Sequence, residues 1–219
     1  MTTTSTPIAG PAAPPSGLGW TRHGRYAAAA VLTSLGVLWL AASLIGYGKH
    51  DLERLQWTAQ HPLPAGLGLA ADMLAVPFVV GAALVWLLLS RGRSPRLAWA
   101  GAALLTCAAA GQGVIVGMEL ADYLVARGGT VDLGTWSALT DSPSGLPVTV
   151  LLVLFLAGAF GGILVAMTAL WRSRAVPRAA IALVVLSQLA DGVSAYVPAT
   201  AIGLAGLGWM SLHLLRADR

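Results

Sequence analysis

Polar positions along the chain are rare and bunched, and long apolar runs fill the space between them. A hydrocarbon core about 30 Å thick takes about 20 residues of apolar helix to cross. Six runs reach or approach that length: Tyr26–Tyr47, Gly66–Leu89, Leu97–Met118, Pro147–Leu170, Ala179–Tyr196 and Ala199–Leu215. They lack the 3.6-residue alternation of a water-facing helix. The pattern predicts an all-α fold, a polytopic transmembrane helical bundle of six spans. The last two runs are divided only by a predicted turn, Tyr196-Val197-Pro198. Proline disfavours helix in the residue before it, and one helix from Ala179 to Leu215 would be about 55 Å long at 1.5 Å per residue. Two short spans fit a bilayer better.

Composition supports the same class. Hydrophobic residues make up 57% of the chain and charged residues 10%, with a mean hydropathy of +0.75. Soluble domains carry about 25% charged residues, so this chain has too little charge to coat a water-facing surface. The lipid bilayer is its expected partner, and no nucleic-acid partner is expected.

Charge then orients the bundle. Residues 87–105 read LLLSRGRSPRLAWAGAALL, and residues 168–186 echo them as TALWRSRAVPRAAIALVVL. Cytoplasmic loops carry the excess of Lys and Arg. With the N-terminus inside, Arg22, Arg25, Arg91, Arg93, Arg96, Arg172, Arg174, Arg178, Arg216 and Arg219 all fall on the inner face. Only Lys49, Arg54 and Arg127 fall outside. Both termini are therefore expected in the cytoplasm, with Arg91, Arg93, Arg96, Arg172, Arg174 and Arg178 as topology determinants in two inner hairpin turns. Pro95 and Pro177 stand where a helix can begin, because its first turn needs no proline N–H. Residues 1–20 lack apolar periodicity and predict a disordered cytoplasmic tail, leaving 21–219 as the membrane domain. The expected location is the plasma membrane, multi-pass.

Small residues suggest packing. Gly81, Gly162 and Gly206 each precede an inner arginine by ten residues, which three parallel hairpin repeats or simple topology would equally produce. Gly113/Gly117 and Gly158/Gly162 have the GxxxG spacing that lets helices approach closely, and predict contact of the third span with the fourth. The same motif also serves homo-oligomers.

Candidate chemistry lies in polar residues at membrane depth, where they are costly. Asp191 stands about 18 Å along its helix from Ala179, at 1.5 Å per residue. Ser187, Gln188 and Ser194 share its face by spacing. Asp72 lies about 10 Å into the second span, ahead of Pro77. Gln112 and Glu119 share a face of the third, with Asp122 one turn further out. Asp72, Gln112, Glu119, Gln188 and Asp191 form the candidate intramembrane polar site, and an interhelical hydrogen-bond cluster is the plain alternative. His23, His50, His61 and His213 all lie near span ends or in a loop. That placement argues against haem between facing helices, and His50 with His61 lacks a third zinc ligand. No cofactor and no catalytic residues are expected, and Cys107 stands alone without a disulfide partner.

The stretches ALWRSRAVPRAAIALVVL, GLAGLGWMSLHLLR and VGMELADYL resemble those of small multi-span membrane proteins of high-GC Gram-positive bacteria. That group has no established function, and the resemblance implies no site residues. Three expectations for function follow. The first is an envelope or interaction role without catalysis, favoured by so sparse a polar inventory. The second is a small solute or proton-coupled transporter or channel using Asp72 and Asp191. The third is a membrane-embedded enzyme or cofactor protein.

Overall fold

The computed structural model describes residues 20–46, 51–140, 146–191 and 196–216, which are helical and contain no strand. The helices are α1 (Arg22–Gly46), α2 (Asp51–Gln60), α3 (Pro62–Ser90), α4 (Pro95–Gly128), α5 (Leu133–Thr140), α6 (Leu146–Leu156), α7 (Gly162–Ser173), α8 (Arg178–Asp191) and α9 (Tyr196–Arg216). A π-helical turn, Ala157–Gly161, joins α6 to α7. The predicted N-terminal tail lies outside the described residues.

Among the described residues, five helical segments are long and apolar enough to cross a membrane: Arg22–Ile45, Pro62–Ser90, Pro95–Gly128, Thr149–Ser173 and Val197–Arg216. This is an all-helical membrane protein. In α8 the described part has 14 residues, about 21 Å of helix, and the rest of the predicted fifth span falls at 192–195, outside the described residues.

Several boundaries differ from the sequence expectation. The predicted turn at Tyr196-Val197-Pro198 is instead the start of α9, because proline is at home in a helix's first turn. The third span does not stop at Met118: α4 continues to Gly128 and ends where Gly129 takes a left-handed φ of 61°. The stretch after it contains α5. Asp132 begins that helix, its carboxylate accepting from the backbone N–H of Thr135 at 2.8 Å and the Thr135 hydroxyl at 2.9 Å, as a helix N-cap does. Between the first two spans stands the ten-residue α2.

The two echoing tracts are tight turns that touch each other. Pro95 opens α4 behind Ser94. The carbonyl of Pro177 accepts from Ala180 and Ile181 at the start of α8. Arg93 donates to the Ser173 carbonyl at 3.4 Å, so the first tract reaches the second. We call this the arginine end of the bundle.

Consecutive long helices are neighbours: α1 packs on α3, α3 on α4, α4 on α6 and α7, and α8 on α9, while α9 closes back on α1. The contact of α7 with α8 is the slightest of this ring. Its filling is uneven. Leu32, Met167, Leu170, Met210 and Leu214, among the largest fully buried side chains, lie toward the arginine end. Leu74, Leu84, Trp99, Val153, Leu189 and Trp209 face outward, as a lipid solvent allows.

Glycine sets the closest approaches, though not all at the predicted positions. Gly158 and Gly162 lie against α4: a Cβ on Gly158 would meet the Leu104 carbonyl oxygen at 2.5 Å, and one on Gly162 the Leu105 nitrogen at 3.0 Å. Gly113 and Gly117, the other predicted pair, face open space. On α4 the close approaches are Gly101 against Ala166 and Gly111 against Phe155. Gly81 meets Val31 of α1, and Gly206 meets Val184 of α8. Each glycine of the ten-residue spacing thus seats a helix on the preceding long helix of the ring.

Candidate functional site

The under-filled end of the ring borders a partly open cavity of about 360 Å³. Two polar bonds hold α9 to α1 beside it. Ser43 and Thr200 share a hydrogen bond of 2.7 Å, and nearer the arginine end Thr33 donates to Ser211 at 3.0 Å. Both Ser43 and Thr200 border the cavity.

All five residues of the candidate intramembrane polar site border this same space: Asp72 from α3, Gln112 and Glu119 from α4, and Gln188 and Asp191 from α8. Ser187 joins them from α8, and Ser194 lies outside the described residues. Asp72 is buried, with 6% of its surface exposed. Among the described residues, the side chains of Asp72, Gln112, Gln188 and Asp191 make no hydrogen bond. A buried polar group ordinarily finds a partner, so these side chains are not a closed interhelical network. They present unspent hydrogen-bonding capacity to the cavity.

The space has two unlike ends. Asp72 and Trp86, both on its wall, are 14 positions apart on α3, about 21 Å at 1.5 Å per residue. Glu119 and Leu105 mark the same interval on α4. The carboxylates gather at one end, and Leu35, Val79, Ala82, Leu105 and Ile163 line the rest. Trp86 stands at the deep end, 2% exposed, and its buried indole N–H has no hydrogen-bond partner.

A cap closes over the acidic end. Arg54 of α2 pairs with Asp122 at 2.6 Å and with Glu119 at 3.3 Å. Trp136 of α5 donates its indole N–H to the other Asp122 oxygen at 2.9 Å. Glu119 and Asp122, expected at the span's end, are thus held by both short helices. Among the described residues, neither Arg54 nor any other Arg or Lys borders the cavity. Beyond the cap, Asp132 has its carboxyl held below the ordinary range, chiefly by the Thr135 backbone N–H.

The six topology arginines, Arg91, Arg93, Arg96, Arg172, Arg174 and Arg178, are exposed at the opposite end. Arg178 lies over the Trp171 ring at 5.0 Å. Among the described residues, no group of three or more His, Cys, Asp or Glu side chains is placed to hold a metal ion. His61 bonds the Trp57 carbonyl at 3.1 Å and stacks on that ring.

Sequence reasoning gave no site role to Arg54 or Trp86. For Arg54 a signal existed: it is a lone arginine in α2 on the side where Glu119 and Asp122 accumulate. For Trp86 there was none, because a tryptophan near the end of an apolar run reads as an interfacial anchor.

No protein-family model, no curated protein and no solved structure matches the chain. Function is therefore argued from the site alone.

Proposed function

We propose that the protein is a small carrier of the plasma membrane, with six spans and both termini cytoplasmic, that moves protons at Asp72 and Asp191 and couples them to a small solute when one is bound. The observation that carries this reading is the partnerless, buried Asp72 facing a cavity that Glu119 and Asp191 also border. A carboxylate held in a low-dielectric interior costs several kcal/mol unless a proton or a cation neutralises it. Under a purely interactive envelope role, such a group would have no task. Orientation rests on the arginine end, where the basic hairpin turns meet the cytoplasmic excess of positive charge. The apolar enclosure supports a binding space more than a continuous aqueous pore.

The test is proton uptake by proteoliposomes carrying an internal pH dye, driven by a potassium diffusion potential. Wild type should acidify the lumen, and Asp72→Asn and Asp191→Asn should each slow it by about tenfold or more, as expected for an essential proton-transfer group. Uptake equal in wild type, both variants and protein-free vesicles would exclude proton exchange at these residues.

A further inference from the structure

A buried carboxylate without a partner faces one end of a largely apolar space: Asp72 lies there with Glu119 and Asp191. We propose that the cavity binds an elongated organic cation, with an ammonium head at the carboxylates and an apolar body along the rest of the wall. This deepens the carrier reading and rests on it for the claim that the space is built to be occupied.

Charge selects the head. Among the described residues, three carboxylates border the cavity and no Lys or Arg does. Arg54 counters Glu119 from outside the wall, leaving Asp72 and Asp191 without a counter-charge among the described residues. An anionic head would meet like charge in a low-dielectric site, which is strongly unfavourable. A bare divalent metal fits poorly, since the described carboxylates form no group able to hold one.

Shape selects the body. The cavity of about 360 Å³ runs along about 21 Å of α3, so it is longer than a compact head alone would need. The middle of the wall is apolar, with Leu35, Val79, Ala82, Leu105 and Ile163, so it offers an apolar body contacts and no competing polar partner. Aromatic Trp39 and Phe155 add to this wall.

The experiment titrates three probes into the full-length protein in lipid nanodiscs, subtracting protein-free discs to remove partitioning. They are dodecyltrimethylammonium, dodecanesulfonate with the same chain and an anionic head, and tetramethylammonium with the head alone. Dodecyltrimethylammonium should bind saturably, and tetramethylammonium about tenfold or more weakly, because it lacks the apolar body. The sulfonate should bind no better than to empty discs. Asp72→Asn should weaken dodecyltrimethylammonium about tenfold or more, as for a charge-assisted contact. The wild-type comparison needs no variant, so a misfolded mutant leaves the test intact. Sulfonate binding equal to ammonium binding overturns the proposal, as does equal affinity for the probe without a chain. Proton uptake that still needs Asp72 alongside such a result would remove this ligand and leave the carrier. Loss of both would remove the carrier as well.

Discussion

Arg54 on α2 and Asp122 on α4 lie 2.6 Å apart, and that contact ties a short helix to the longest one in the chain. The same guanidinium reaches Glu119, one turn deeper, at 3.3 Å. One arginine therefore holds both the cap and a carboxylate of the cavity wall. Arg54 is a third exposed, so the pair sits between a surface ion pair and a buried one. A double-mutant cycle of Arg54→Met and Asp122→Asn should give a coupling of about 1 kcal/mol, read as thermal stability in detergent. Zero coupling would mean that α2 is held by its apolar contacts alone.

Two glycines on neighbouring spans should respond oppositely to one added methyl. At Gly158 a Cβ meets backbone atoms of Leu104 and Ala108 at 2.5 and 2.7 Å, and backbone cannot rotate away. Gly158→Ala should destabilise by about 1–3 kcal/mol. Gly113 has open space around it, so Gly113→Ala should be neutral to within about 0.5 kcal/mol or slightly stabilising. Equal melting temperatures for the two variants would contradict the packing of α4 on the fourth span.

The Asp132 cap predicts a local pH dependence. Its carboxyl is held below the ordinary value of 3.8, first by the backbone N–H of Thr135 and then by its hydroxyl. A depressed folded-state pKa gives a contribution that is complete above the unfolded value and lost as pH falls through the folded one. Amide exchange in α5 should therefore be constant from neutral pH to about 4 after correction for intrinsic rates, and quicken below it. Asp132→Ala should quicken exchange at neutral pH and remove that acid step. A step unchanged in the variant would assign it to another group.

Orientation is tested by fusion. A reporter active only in the cytoplasm should work after Arg219 and fail when inserted near Ser137, because ten of thirteen basic residues mark one face. The reverse pattern would invert the bundle without changing its internal contacts.

The spans were legible because lipid requires length and apolarity and little else, and the runs around Leu84, Leu105 and Leu154 meet that demand openly. Asp72 and Asp191 were legible as candidates for the same reason, since a carboxylate inside an apolar run stands out. Their meeting around one space was not, because sequence spacing carries no distance between different helices. Gly113 was misleading where Gly101 and Gly111 pack, because lipid-facing and buried positions are both apolar here and the phase around α4 leaves no trace. Trp86 was hidden by the same blindness. Pro198 was read as a breaker, and only its position within the first turn of α9 makes it compatible with helix.

The π-helical turn at Ala157–Gly161 gives the middle of the fourth span one spare residue. A π turn carries one residue more than an α turn, so its five residues turn the chain about as far as four of an α-helix do. Deleting one residue there would let the turn relax to α and keep Gly162, Ile163 and Ala166 on α4, with Leu164 outward. The same deletion within α7 would rotate everything beyond it by about 100°. Relatives of this chain should then tolerate a one-residue alignment gap between residues 157 and 161 and resist one a turn further on, in a stretch whose composition looks equally indifferent.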